Sequence, residues 1–235
     1  MVTWSRKRVA AAVGAALLVM FLLVAGLVAV TPDFYARTEG VGPDDPAKDL
    51  FNERVVNGVG NVLLDKSGRT PLDVTITEEM VNARLAAFLE ETRARGPGAP
   101  RLPPALERLR VAFEPGRVIL ATRVGEGLAS LVLSEHLHLE ATADGRLRVE
   151  TVGVRVGYLP LPSRLADRLT EVLRRHVQQA EAEGADAGAL EVWHGVLRAL
   201  EGEPVTLAGK KLGIALDAVE TDRGALRVRG RRIER

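Results

Sequence analysis

The chain has 235 residues, of which 27% are charged and 4% aromatic, and its formal net charge is +1. It contains no cysteine, which excludes disulfides, thiol catalysis and cysteine-ligated zinc. The balanced charge offers little attraction to a phosphate backbone, so no nucleic-acid partner is expected, and the scarcity of aromatic rings means that the core must be aliphatic.

The first predicted element is a membrane anchor at residues 1–30. The 22 residues from Val9 to Val30 carry no charge, and a helix of that length, at about 1.5 Å per residue, matches a bilayer core. Residues 6–8 are Arg-Lys-Arg, so the positive-inside rule places the N-terminus in the cytoplasm. The pattern predicts a single-pass protein of the cytoplasmic (inner) membrane with an extracytoplasmic C-terminal domain. A cleaved signal peptide is the alternative.

A linker and a helix–strand–helix unit follow the apolar run. Residues 31–48 are rich in glycine and proline, which predicts a stiff, extended juxtamembrane linker. Residues 49–235 then form the extracytoplasmic domain. Apolar residues at helical spacing predict a helix over 49–64, and alternation predicts a short strand over 72–76. Thr77 is suited to cap the helix that comes next.

The sheet is predicted between residues 110 and 158, where apolar residues alternate along several short runs. An Asp-Gly pair at 144–145 is a hairpin signal, and a slip of the apolar phase at residues 150–151 predicts a bulge. Residues 163–177 return to helical spacing. The predicted fold class is α+β: a single N-terminal transmembrane helix plus a curved antiparallel sheet wrapped on one or two amphipathic helices.

One strand carries a constellation that suggests metal chemistry. His136, His138 and Glu140 fall at alternate positions, and two histidines with a carboxylate can ligate zinc or iron in a metal-dependent hydrolase. The opposite face is apolar, so the simpler interpretation is that these side chains form the solvent side of the sheet. The chain has no serine elbow and no complete nucleotide-binding loop. We therefore predict no enzyme activity, no catalytic residue, no metal and no cofactor.

Three consecutive elements are a valine-rich strand, the segment Gly157-Tyr158-Leu159-Pro160-Leu161-Pro162-Ser163 and an amphipathic helix. Together they resemble the YpmS-type family of uncharacterised bacterial membrane-anchored proteins. The similarity extends back to residues 74–82 and forward to residues 205–230. The insert at residues 93–104 departs from the family pattern. This family is similar to tubular lipid-binding modules of the LmeA-like type, in which a curved sheet wraps a long helix around an apolar groove. The resemblance implies lipid binding and transfers no catalytic residue.

The predicted function is that of a membrane-tethered extracytoplasmic protein that binds lipid or a hydrophobic envelope component. An aliphatic interior suits acyl chains, because acyl chains need no directional contacts. The alternative is a non-catalytic envelope assembly or scaffold factor that docks a membrane-protein partner. The expected partners are therefore membrane lipid and, for the alternative, an envelope protein. The predicted apolar groove is lined by Leu131, Leu133, Leu137, Leu139, Val154, Val156, Leu165, Leu169 and Val172.

Overall fold

The structure is a computed structural model of the chain. It describes residues 19–20, 26–28, 30–65, 67, 69–94, 108–125, 130–162, 171, 174–175, 177–179, 181–182, 194, 205–207 and 213–233. Within these ranges most of the regular structure is strand. The strands are β1 (Leu72–Thr77), β2 (Arg110–Glu114), β3 (Arg117–Val124), β4 (Leu131–Ala141), β5 (Leu147–Val156), β6 (Leu159–Pro160), β7 (Val205–Leu207), β8 (Ile214–Asp222) and β9 (Ala225–Arg232).

These strands form two antiparallel sheets. Sheet A has the order β1–β9–β8. Sheet B has the order β2–β3–β4–β5–β6, and β7 also pairs with β5. Strands β6 and β7 both pair with the edge of β5 that faces away from β4. Strand β6 pairs with residues 155–156 at one end of this edge, and β7 pairs with residues 147–149 at the other end. From β2 to β6 each strand pairs antiparallel with the next one in the chain, which is why the local alternation pattern locates most of them.

The predicted fold class is wrong. We expected one curved sheet wrapped on one or two helices, whereas the described residues form two antiparallel sheets with few helices. Sheet A exists because β1 pairs with β9, with Leu72 opposite Gly230 and Thr77 opposite Ala225. The predicted N-terminal transmembrane helix is not shown either: in the part of the chain that the structure describes, no helix is long and apolar enough to cross a bilayer.

The helical segments are α1 (Asp33–Ala36), α2 (Ala47–Phe51), a π-helical turn (Asn52–Val56), α3 (Asn57–Leu64) and α4 (Glu78–Ala94). The helix predicted over 49–64 is therefore confirmed, with a π-helical turn in its middle. The cap of α4 is confirmed as well, because the Met80 N–H donates to the Thr77 hydroxyl at 3.3 Å. Glu78 and Glu79 in the first turn of α4 suit the positive end of the helix.

The segment predicted to be an extended linker packs against sheet B instead. Tyr35 and Thr38 are each 2% exposed. Tyr35 lies in one apolar cluster with Ala112 of β2 and Ile119 of β3, and its hydroxyl donates to the Arg108 carbonyl at 3.0 Å. Residues 31–48 are rich in glycine and proline, yet the two aromatic rings at 34 and 35 give the segment apolar surface to bury.

The opposite face of sheet B packs against α4 and sheet A. Phe113 and Leu137 are buried in one cluster, and Leu85 of α4 and Leu226 of β9 pack against it. On the same face of sheet A, Val62 of α3 is 1% exposed and clusters with residues of β1 and β8. The two sheets are therefore held together by aliphatic contacts, as the composition predicts.

The bulge predicted at residues 150–151 is confirmed. His136 of β4 lies opposite Gly153 of β5, whereas the next residue, Leu137, lies opposite Thr151. Val152 is therefore left without a partner in the ladder, and its side chain is 65% exposed. Because the bulge absorbs one residue, the apolar side chains on both sides of it face the same way.

Candidate functional site

Six of the nine predicted groove residues share one face of sheet B. Leu131, Leu133, Leu137 and Leu139 occupy alternate positions of β4, which places them on one side of the strand. Val156 lies directly opposite Leu133, and Val154 lies directly opposite Glu135. Residues opposite each other in an antiparallel ladder share a face, so both valines join this set. We name this surface the leucine face. Leu165, Leu169 and Val172 lie outside the described residues.

The leucine face is closed at one end. Leu137 is 9% exposed and is buried with Val111, Phe113 and Val118. Leu139 is partly buried against the same cluster. This half of the predicted groove is therefore filled by protein side chains and belongs to the core.

At its other end the leucine face is partly exposed. Leu131 is 37% exposed, and Leu133, Val154 and Val156 are partly buried. Aliphatic side chains from two neighbouring strands thus form a continuous apolar surface at the end of the sheet where β4 begins and β5 ends. We name these four residues the open end of the leucine face.

A carboxyl group lies in the middle of this apolar surface. Glu135 follows Leu133 by two positions on β4 and accepts a hydrogen bond of 2.8 Å from the Thr151 hydroxyl. Burial raises the pKa of Glu135 above its ordinary value, and the hydrogen bond from Thr151 opposes this only in part. The carboxyl marks the boundary between the closed core and the open end, and among the described residues of β4 and β5 it is the one acidic group on this face.

Glu135 is expected to destabilise the fold when it is ionised. A carboxyl whose pKa is raised by folding holds its proton more tightly in the folded than in the unfolded protein. Its contribution to stability is therefore most favourable when it is protonated, and stability falls as pH rises through the folded-state pKa. Glu135→Gln keeps a partner for Thr151 and removes the charge. The variant should therefore unfold at a higher temperature than the wild type at pH 8, with the difference vanishing near pH 4. Thermal unfolding followed at several pH values measures this, and a difference that is equal at all pH values would contradict the buried-charge argument.

The other face of β4 is buried over its first half, which corrects the prediction that His136 is on the solvent side of the sheet, whereas His138 and Glu140 further along this face are exposed as predicted. Val132, Ser134 and His136 are 3%, 1% and 3% exposed. Phe34 packs against the cluster that contains Val132, and its ring packs edge-on against the His136 ring with centroids 6.0 Å apart. The covering residues come from the segment that was expected to be a linker.

The three residues of the metal alternative do not converge. His136 is buried, whereas His138 is exposed and its Nδ1 lies 3.0 Å from the Gly116 carbonyl oxygen. Glu140 is exposed. In the described ranges no three histidine, cysteine or acidic side chains are placed to hold a metal ion.

His136 is a core residue and its environment keeps it neutral. Its Nε2 lies 3.3 Å from the Ser134 hydroxyl, and its Nδ1 has no hydrogen-bond partner among the described residues. Burial, reinforced by the positive charges of Arg155 and Arg117, lowers the pKa of His136 to about 4. A serine next to a neutral histidine is a nucleophile–base arrangement in principle. Both side chains are enclosed here, so a substrate has no path to them.

Sequence reasoning missed a polar cluster at the start of α4. Arg37 donates two hydrogen bonds of 2.8 Å to the Glu78 carboxylate and one of 2.9 Å to Glu114. The Glu78 carboxylate also accepts a hydrogen bond of 2.5 Å from the Phe113 N–H. These contacts raise the pKa of Arg37 above its ordinary value, and the hydrogen bonds to Glu78 make the largest contribution. The sequence shows the acidic first turn of α4, but Arg37, the partner of Glu78, lies 41 positions away and is not indicated by any local pattern.

A cavity of about 310 Å³ lies beside this cluster, lined by Arg37, Thr38, Val41, Thr77, Glu78, Glu79 and Gly224. It is lined largely by polar residues and is separate from the predicted groove. Two carboxylates already neutralise the Arg37 guanidinium, so the cavity presents no free positive charge from that residue to an anionic ligand. The cluster therefore joins α1, α4 and β2, and it is a structural feature.

Comparison of the chain with protein-family models, with curated proteins and with solved structures finds no match.

Proposed function

We propose that this protein binds lipid or a hydrophobic envelope component at the open end of the leucine face. The observation that carries the proposal is the division of that face. One half is covered by Leu85 of α4 and Leu226 of β9, whereas the open end keeps part of its apolar surface uncovered. Partly exposed apolar surface at the end of a sheet is typical of sites that bind apolar ligands.

The chemistry of the open end suits an acyl or prenyl chain. Its four side chains are aliphatic, so they offer dispersion contacts without direction, and each buried CH₂ group of a ligand would contribute about 0.8 kcal/mol. The Glu135 carboxyl, protonated more readily than usual, adds one polar position at the inner end of the surface. A hydroxyl or amide of the ligand can hydrogen-bond there. The resemblance to the YpmS-type family supports the same ligand class.

The proposed location is the extracytoplasmic side of the cytoplasmic membrane, with the N-terminus in the cytoplasm. Its support is the uncharged run from Val9 to Val30 and the Arg-Lys-Arg sequence before it. The last residues of this run touch sheet B, because the Tyr158 N–H donates to the Leu27 carbonyl at 3.3 Å. The domain therefore begins directly where the apolar run ends.

The second candidate is an assembly or scaffold factor that docks an envelope protein. One observation favours it: Leu50, Val56 and Leu64 are 41%, 56% and 80% exposed along the segment from α2 to α3. Exposed aliphatic side chains repeated along one helical segment are typical of surfaces that bind a partner. This surface lies on different elements from the leucine face, so the two candidates can be separated by mutation.

The lipid proposal predicts that one substitution at the open end removes the ligand. Leu133→Asp places a carboxylate beside the bound chain, and an unpaired carboxylate in an apolar site costs several kcal/mol. Since about 1.4 kcal/mol is tenfold in affinity, lipid occupancy should fall at least tenfold. The measurement is native mass spectrometry of the full chain purified in mild detergent, which should carry phospholipid or prenyl lipid in the wild type.

Val152→Asp is the matched control. It makes the same kind of change on the adjacent strand, at the bulge residue whose side chain is 65% exposed, and it should keep the lipid. Leu137 is unsuitable, because it is enclosed by Phe113 and Val118, and an aspartate there would unfold the core. A lipid-free wild type that unfolds at the same temperature with and without added lipid would favour the scaffold candidate. Equal loss in Leu133→Asp and Val152→Asp would contradict the assignment of the face.

A further inference from the structure

Five exposed apolar side chains gather at the end of sheet B where the N-terminal run meets the domain. Leu27, Val30, Val124, Leu131 and Tyr158 are 44%, 50%, 47%, 37% and 40% exposed. We name these five residues the apolar rim. They come from four separate parts of the chain, so local sequence pattern does not reveal that they are neighbours.

Hydrogen bonds and strand pairing fix the members of the rim next to one another. Val124, the last residue of β3, lies opposite Leu131, the first residue of β4. The turn after β5 is attached to the same end, because the Gly157 N–H donates to the Val132 carbonyl at 2.7 Å. Tyr158 in that turn therefore stands beside the start of β4.

The N-terminal run is held against the same end by two further contacts. Its Leu27 carbonyl accepts the hydrogen bond from the Tyr158 N–H. The Arg123 guanidinium donates to the Thr31 hydroxyl at 3.0 Å, which places Val30 beside the end of β3. The approach at Gly157 is close: this residue has a φ of 58°, and a Cβ there would lie 2.5 Å from the Leu27 carbonyl oxygen. The contact therefore requires glycine.

The apolar rim lies next to the uncharged N-terminal run, and this position indicates that lipid covers it. Two rim residues, Leu27 and Val30, are themselves the last part of a run of 22 uncharged residues, which favours lipid over water. The other three continue that apolar surface onto the folded domain. Tyr158 has an aromatic body and a hydroxyl that accepts a hydrogen bond of 3.2 Å from the Asp33 N–H, and such a side chain is typical of the membrane–water interface.

The charges beside the rim are balanced. Arg123 forms an ion pair of 2.9 Å with Glu39 and lies over the Tyr35 ring, with its guanidinium carbon 5.3 Å from the ring centroid. Arg108 is exposed and donates to the Gly125 carbonyl, while Asp33, whose N–H donates to the Tyr158 hydroxyl, supplies a negative charge. No excess of positive charge among these described residues favours anionic headgroups, so attraction to the membrane must come from apolar contact.

We propose that the apolar rim rests in the interfacial layer of the lipid bilayer, so that the open end of the leucine face is directed at the membrane. This inference rests on the location given in the proposed function and deepens it: Leu131 belongs both to the rim and to the open end. A lipid chain then passes from the bilayer onto sheet B along a continuous apolar surface and never crosses water.

The absence of cysteine allows a direct test, because any introduced cysteine is the single labelling site. Val124→Cys places an environment-sensitive fluorophore on the rim. Val56→Cys is the matched control, since it replaces the same residue type at a position that is 56% exposed on the helical segment beside sheet A. Neither side chain is buried, so neither label threatens the fold. Both full-chain variants are reconstituted in phosphatidylcholine vesicles that contain a nitroxide-labelled phosphatidylcholine.

The label at Val124 should be blue-shifted and quenched several-fold more strongly than the label at Val56. The quenching should be unchanged when part of the phosphatidylcholine is replaced by phosphatidylglycerol, because the contact is apolar. Equal, weak quenching at both positions would overturn the proposal. So would quenching that appears only with the anionic lipid, or a Val124 label that is shielded from aqueous quenchers without being reached by the nitroxide lipid, since that result indicates a protein cover.

The same labels separate this inference from the proposed function. Val124→Cys combined with Leu133→Asp should lose the carried lipid and keep its quenching by the bilayer. A rim that is quenched in a protein that never carries lipid would leave the membrane contact standing and remove the lipid-binding function. A protein that carries lipid but shows no quenching at Val124 would leave the lipid-binding function standing and overturn the membrane contact of the rim.

Discussion

Replacing Asn82 with alanine is expected to lower the free energy of unfolding by about 3–5 kcal/mol. Asn82 is 0% exposed at the junction of α4 and β2. Its amide donates to the Glu78 carbonyl at 2.7 Å and to the Val111 carbonyl at 2.6 Å, and its side-chain oxygen accepts from the Val111 N–H at 2.8 Å. Alanine leaves both backbone groups of Val111 buried without a partner, and each costs about 1–3 kcal/mol.

Asn61→Ala is the control for this measurement. Asn61 is exposed on α3, so its loss should change stability by no more than about 0.5 kcal/mol. Denaturant unfolding of both variants gives the comparison. A loss below about 1 kcal/mol in Asn82→Ala would mean that water replaces the asparagine, and that α4 is not tied to the edge of sheet B as described.

Acidification is expected to destabilise the protein through His136. The folded-state pKa is about 4, below the unfolded value of about 6.5. The unfolded chain therefore binds a proton that the folded chain excludes. The stabilisation is fully present above pH 6.5 and is lost progressively as pH falls to about 4. A difference of roughly 2.5 pKa units at 1.36 kcal/mol each makes the loss of the order of 3 kcal/mol.

His136→Gln isolates this effect from the many carboxylates that titrate below pH 4. Glutamine can keep the hydrogen bond with Ser134 and cannot take up a proton. The free energy of unfolding, measured from pH 7.5 to 4, should fall less steeply in the variant than in the wild type. If the two pH profiles run parallel, the ring is not kept neutral by burial behind Phe34.

Local pattern predicted the elements that local chemistry determines. The helix over 49–64, the cap at Thr77 and the bulge beside Thr151 are all confirmed, because each depends on residues within a few positions of one another. The predicted sharing of one face by the β4 leucines is confirmed for the same reason. Alternation along a strand fixes which side chains face the same way.

Long-range packing explains what the sequence did not reveal. The single-sheet prediction fails because β1 pairs with β9 at the far end of the chain, and periodicity carries no information on such partners. The prediction that His136 faces solvent fails because alternation along a strand indicates two faces but not which elements cover each of them. Phe34, which packs against the His136 ring, lies in a stretch whose glycine and proline content favours a linker. The division of the leucine face has the same origin, since Leu85 of α4 and Leu226 of β9 cover one half from distant parts of the chain.

The most direct test of lipid binding at the open end is photo-crosslinking at residue resolution. The full chain in vesicles is irradiated with a phospholipid that carries a photoreactive group in its acyl chain, and the modified residues are located by mass spectrometry. We expect crosslinks at Leu133, Val154 and Val156, where the leucine face extends beyond the rim. Crosslinks confined to Val56 and Leu64 on the outer helical segment, or none on β4 and β5, would contradict the account.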